Sequence, residues 1–267
     1  GRFDVAENAL LRARDIQSYL IDADSSDSTF IDELAGSFNN LGLLYQKQGK
    51  YVEAGTAYRE VTRLQDQLSR IELPVTNHRI SRAAALNNRA NFFDKTNQPG
   101  QAEKARAEAI EILRGLAREF PNHPEYVQEL SKILVGLGGL AANRSDWDSC
   151  LRYYREAQNL RSRLAADHPT VTTYQGLLTT VHNNLGRAYH FMQRFDDAET
   201  EYQAAIRINK ELTRQNPTMV TWRHSLVLNL HNLATAYGEA RKHGKAEETF
   251  KAALDEATTL ERDFQTL

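Results

Sequence analysis

The chain has 267 residues, with 33 Lys plus Arg set against 35 Asp plus Glu for a net charge of −2. Its basic residues are scattered rather than gathered in a stripe, so it lacks the concentrated positive field that phosphate binding needs, and nucleic acid is not an expected partner. No apolar run reaches the ~18 residues of a membrane span and no charged start leads into an apolar stretch, while a lone cysteine, Cys150, excludes an internal disulfide framework and fits a reducing compartment, here expected to be the cytoplasm.

Along the chain, apolar and small residues recur at three- and four-residue spacing, which is helical periodicity, and no stretch reads as a strand. Gly1, Phe3, Ala6, Leu10 and Ala13 begin the pattern and match the second half of a larger unit, so residues 1–23 are expected to be a half repeat of one helix. Asp22, Asp24 and Asp27, with intervening Ser, read as a solvated turn with a helix-capping Asp or Ser. They lack the Gly and distal Glu of a calcium loop. Residues 24–71 then carry two helical stretches, Phe38, Leu41, Gly42 and Tyr45, then Tyr51, Ala54, Tyr58 and Val61, separated by Gly49.

The same order returns over 72–119, 120–167, 168–215 and 216–263. Leu20, Leu68, Leu116, Leu164, Leu212 and Leu260 are successive 48-residue steps, as are Ala6, Ala54, Ala102, Cys150, Ala198 and Ala246. Leu34, Leu130, Leu178 and Leu226 keep the step with Arg82 as the odd member; Phe30, Tyr126, Tyr174 and Trp222 keep it with His78 in the fifth slot. A fixed period of this size means a repeat array, in which each unit stacks only on its neighbours. Pro99, Gly100 and Gly244 lie near the inner turns, and Pro121, Pro169 and Pro217 share one outer position. Residues before Pro avoid the helical region, so a helix should end at Phe120, His168 and Asn216.

Each unit resembles a tetratricopeptide repeat (TPR), which places a bulky residue, Leu-Gly, Tyr, and then small, aromatic and small positions in order. Leu134, Leu137, Gly138, Ala141, Trp147, Cys150, Tyr154 and Ala157 follow it, as do His182, Leu185, Gly186, Tyr189, Phe195, Ala198, Tyr202 and Ala205. Two units are looser, with Leu86, Arg89, Ala90, Phe93, Ala102 and Ala109, and with Leu230, Leu233, Ala234, Tyr237, Ala246, Phe250 and Ala253. The period exceeds the usual ~34 residues, so both helices should be extended, to roughly 30 Å for twenty residues. The resemblance implies an all-α, right-handed superhelix, an α-solenoid of antiparallel helix pairs. Long units with Pro169, Tyr174 and Asn183 to Gly186 resemble arrays in large bacterial proteins, some of which follow a Ser/Thr protein kinase domain.

In that family the first helix of each pair lines a concave groove. The matching positions here are Asn39, Leu43 and Gln46; Asn87, Asn91 and Asp94; Lys132, Val135 and Gly139; Asn183, Arg187 and His190; and His231 and Thr235. Asn and His there could bond an extended peptide backbone, with Leu43, Val135 or Phe191 as an apolar anchor. Asn40, Asn88, Asn184 and Asn232 sit where the family usually bonds neighbouring backbone. The carboxylate clamp of chaperone-binding members reads here Asn39, Leu43, Asn88, Lys132 and Gly136, too few matches for that clamp.

The expected function is protein or peptide binding in the groove, or, as an alternative, a regulatory or substrate-docking arm of a larger enzyme such as a bacterial kinase. No catalysis, cofactor, metal or membrane contact is expected of this segment. His182, His190 and His231 have no HExxH or Cys/His spacing; His123 and His168 precede Pro in turns; Gly136, Gly138 and Gly139 fall inside a helix at close-packing positions; and Cys150 stands where other units carry Ala. Ile16, Leu20, Leu254 and Leu260 should leave apolar surface at the two ends, as in a piece of a longer protein or an end-to-end self-associating one.

Overall fold

The computed structural model describes residues 2–24, 27–71 and 76–265. Among them run eleven helices and no strand: α1 (Arg2–Ala23), α2 (Ser28–Lys47), α3 (Tyr51–Leu68), α4 (Thr76–Lys95), α5 (Pro99–Glu119), α6 (Pro124–Asn143), α7 (Trp147–Asp167), α8 (Thr172–Phe191), α9 (Phe195–Gln215), α10 (Val220–Glu239) and α11 (His243–Gln265). The starts of α2, α4, α6, α8 and α10 fall 48 residues apart, and so do those of α3, α5, α7, α9 and α11. None of these helices is long and apolar enough to cross a membrane.

Within each pair the first helix ends in one recurring turn. Gly49, Asn97, Ser145, Gln193 and Arg241 all have φ between 57° and 77°, in the left-handed region. The next residue's N–H returns to a carbonyl five residues back, as in Lys50 to Tyr45 (2.9 Å), Arg194 to Tyr189 (2.9 Å) and Lys242 to Tyr237 (2.8 Å). This is the Schellman closure, which satisfies orphan carbonyls and reverses the chain within three residues. Only Gly49 among the five is the residue that reaches this conformation without strain. Second helices end as the outer prolines require: Phe120, His168 and Asn216 are C-caps outside the helical region. Their N–H groups bond the carbonyls of Leu116, Leu164 and Leu212 at 2.9–3.0 Å.

The chain divides into two compact units, residues 1–129 and 130–267. In the first, α2 pairs with α3 and α4 with α5, while α1 packs on α2 and α3 on α4. Ile31, Leu34, Ala35 and Leu64 form one buried cluster, flanked by Ile21, Phe38, Leu68 and Ile71; Ala54, Tyr58 and Phe92 form another. In the second, α8 pairs with α9 and α10 with α11, with α7 against α8 and α9 against α10. There Leu164, Val181, Leu185, Ala198, Tyr202 and Leu212 are buried.

Several expectations need correction. Asp22 lies in the last turn of α1, not in a turn between helices; Asp27 does cap α2, accepting from Thr29 N at 2.8 Å. Ser25, Ser26 and Gly1 lie outside the described residues. Ile16 and Leu254 are 61% and 67% exposed, whereas Leu20 and Leu260 are half-buried. Gly138 is tightly packed under Tyr154, but nothing lies close to Gly136, which is open to solvent.

Candidate partner-binding faces

Helix pairs close through a matched small and large residue. Tyr58 lies over Gly42, Tyr154 over Gly138 and Tyr202 over Gly186; a Cβ at Gly42 or Gly186 would stand 2.8 Å or 2.7 Å from the ring. The three rings are buried. Where the aromatic becomes Arg106 the Gly becomes Ala90, and where it becomes the exposed Phe250 the Gly becomes Ala234. Each pair thereby holds its first helix at a set distance, so the outward stripe of that helix is presented in a defined register.

In the first unit most of that stripe is already engaged. Asn39 Oδ1 accepts from Asn88 Nδ2 at 3.1 Å. Gln46 is buried and accepts from Tyr58 Oη at 3.3 Å, so it is part of the core and offers a partner little. Arg106, 5% exposed in its side chain, reaches back from α5 to donate to Asn91 Oδ1 at 2.8 Å and to pair with Asp94. Asn87 and Leu43 are half-buried and Asn91 is exposed. Arg106 is a contributor that the repeat pattern alone did not flag; its signal is the break in the aromatic series at that position.

In the second unit the stripe is more available. Asn183 Oδ1 accepts from Asn232 Nδ2 at 2.8 Å, repeating the bond made by Asn88. Asn88 and Asn232 thus bond a side chain of the neighbouring first helix, not backbone as expected, and Asn40 is exposed. Arg187 is exposed and makes no ion pair or hydrogen bond among the described residues; its charge is felt by the Tyr154 and Tyr202 hydroxyls. His190 Nε2 lies 2.9 Å from Glu239 and its ring stacks on Phe191 at 6.0 Å. Phe191, 66% exposed, also stacks on Trp147 at 6.3 Å. His231 is exposed against Phe250, Thr235 returns its hydroxyl to the His231 carbonyl (3.0 Å), and Lys132 is exposed.

Sequence profiles described as tetratricopeptide repeat match residues 34–65 and 179–212, which cover most of α2 and α3, and most of α8 and α9. The chain carries tetratricopeptide repeats in both compact units. Its fold is similar to that of BtubC (BKLC) from P. vanneervenii, at a TM-score of 0.69, with 18% identity over 98% of this chain and 93% of that one. It is also similar to the apo form of RapI, at a TM-score of 0.61 and 14% identity over 85% of this chain and 72% of that one. A search of curated proteins gives no sequence match.

Groups that could suggest chemistry have structural partners. His182 Nδ1 meets Glu201 at 2.7 Å and Gln158 at 3.2 Å, apart from the partners of His190 and His231. No three His, Cys, Asp or Glu of the described residues are grouped to hold a metal ion. Cys150 is buried, and that burial, with Asp146 nearby, pushes its thiol up to about 11, where it is a poor nucleophile. Arg161 is buried on neutral acceptors, Ser131 Oγ at 3.0 Å and the Leu177 carbonyl at 2.6 Å, and burial brings its pKa down to about 10.

Proposed function

We propose that this TPR chain is a protein-interaction scaffold that binds an extended peptide or a partner helix along the outward stripe of its first helices. The observation that carries the reading is the pairing of Arg187 with Phe191 on α8. One is an exposed cation without an ion pair among the described residues, the other an aromatic ring 66% exposed, and their four-residue spacing sets them side by side. A free cation beside a largely exposed ring suits an acidic residue followed or preceded by a bulky apolar one. Asn183 keeps unused hydrogen-bonding capacity next to them, since its Oδ1 alone is engaged. In the first unit the equivalent stripe is tied internally by Arg106 and Tyr58, so the reading assigns the main contact to α8 and α10. It assigns no reaction to this chain.

A photo-crosslinking amino acid placed at Arg187, with the same group at the exposed second-helix residue Arg207 as a control, tests this in cells. Crosslinks to a discrete protein from position 187 and not from 207, lost when Phe191 is changed to Ala, are expected. Crosslinks confined to position 207 would move the binding surface to the second helices.

A further inference from the structure

The seam between α3 and α4 is built differently from two others at the same place in the repeat. Where α9 meets α10, Glu199 accepts hydrogen bonds from Tyr237 Oη (2.7 Å), Lys242 Nζ (3.1 Å) and Lys245 Nζ (3.0 Å). Where α1 meets α2, Glu7 holds the same position, bonding Tyr45 and accepting from Lys50 Nζ at 3.4 Å. At the α3–α4 seam the three corresponding residues are Gly55, Phe93 and Gln98. Carboxylate, phenol and ammonium are all replaced, and a cleft of about 470 Å³ opens there.

Its lining combines an apolar floor with cations that have no carboxylate partner among the described residues. Phe92 tilts against Tyr58 at 5.4 Å and against Phe93 at 5.7 Å. Arg89 also lines the cleft and stands where Leu41, Leu185 and Leu233 are buried in other repeats. Its guanidinium donates to Thr62 Oγ1 and lies 6.0 Å from the Phe93 ring centroid, and its Nε is buried with no hydrogen-bond partner among the described residues. Arg59 donates to Thr56 Oγ1 at 2.8 Å, and its Nη1 lies 3.8 Å from where a Cβ at Gly55 would be. Glu108, whose charge reaches Arg89, is bonded instead to Arg82 at 2.5 Å. A buried guanidinium N–H left without an acceptor is costly, and a carboxylate is the group that relieves it best. A small hydrated anion would leave the aromatic floor uncovered, whereas a peptide side chain would cover it.

We propose that this cleft is a binding site separate from the first-helix stripe, and that it takes a peptide segment presenting a carboxylate beside an aromatic residue. The carboxylate accepts from Arg89 and Arg59, standing in for the glutamate that Gly55 replaces, and the ring lies against Phe92 and Phe93. On α4 the cleft residues Arg89, Phe92 and Phe93 are on the opposite side from Asn87, Asn91 and Asp94, as 3.6 residues per turn requires. Both surfaces can therefore be filled together.

The test titrates the full chain with the capped pentapeptide Gly-Phe-Glu-Phe-Gly and its Gln counterpart, read by calorimetry and by the Nε–H signals of Arg59 and Arg89. The Glu peptide should bind about tenfold more tightly, as one charge-assisted hydrogen bond of about 1.4 kcal/mol gives. Arg89→Leu, which installs the residue of the other repeats, should erase that preference without lowering the melting temperature. Gly55→Glu, which restores the internal carboxylate, should abolish binding. Equal binding of the two peptides, binding of neither, or a preference that survives Arg89→Leu would overturn the proposal.

Discussion

Asn232 donates its Nδ2 hydrogen to Asn183 Oδ1 at 2.8 Å, and Asn88 does the same to Asn39 at 3.1 Å, each bond joining a first helix to the first helix of the preceding repeat. The donor and acceptor roles are not symmetric, so two substitutions of equal size separate them. Asn183→Asp keeps the acceptor and should leave stability within about 0.5 kcal/mol, while Asn232→Asp opposes two acceptors and should cost about 1–2 kcal/mol. Urea unfolding of the two variants at neutral pH checks the direction.

Gly186 is held under the ring of the fully buried Tyr202, with 2.7 Å left for a Cβ. Gly186→Ala should therefore destabilise the protein by about 1–3 kcal/mol, although Ala is the better helix former by nearly 1 kcal/mol. Gly136→Ala, in open space on α6, should instead raise stability. Thermal melts of the two variants have opposite expected signs, and the same sign for both would refute the packing argument.

Gln193 holds φ of 58° with a side chain that disfavours it. Gln193→Gly should stabilise the turn by up to about 1 kcal/mol, and Gly49→Ala should cost about as much. A melting temperature unchanged in both variants would show that the Schellman hydrogen bonds alone set this backbone.

Glu199 gives a pH dependence of known sign. Burial pushes its carboxyl up, but hydrogen bonds from Tyr237, Lys245 and Lys242 outweigh that and hold it at about 2, against an ordinary 4.5. A depressed carboxylate contributes stability that is fully present above the unfolded pKa and is lost as pH falls through the folded one. The contribution should fade between pH 4.5 and about 2, and Glu199→Gln should flatten that part of the stability curve relative to wild type.

Leu164, near the end of α7, is buried at 5% exposure. Leu164→Ala should cost roughly 2–5 kcal/mol in denaturant unfolding.

The 48-residue step was legible because it is written in local residues: Leu164 and its equivalents mark helix ends, Pro169 marks the outer turn, and Gly186 with Tyr202 marks the close approach. Each reports on backbone geometry within one unit. The bonds between neighbouring repeats were not legible. Whether Asn88 meets backbone or Asn39 depends on the rotation of one helix against the next, which a one-residue difference in sequence position does not specify. The family's groove positions place Gln46 on the outward stripe, yet it is buried and accepts from Tyr58 Oη at 3.3 Å. Arg106 and Arg89 were visible only as interruptions of an aromatic and a leucine series. What they do instead, one bridging Asn91 and Asp94 and the other lining a cleft, belongs to three dimensions.

Because each repeat in such a stack leans only on its neighbours, a weak junction is not averaged away by the rest of the protein. The α3–α4 seam replaces a buried leucine by Arg89 and a bridging glutamate by Gly55. On heating, α2 and α3 should separate from α4 and α5 as a block before either helix pair melts, and their amide protons should exchange together. A ligand seated across that seam would act as a clasp, slowing exchange on both sides of a joint it touches at only a few atoms.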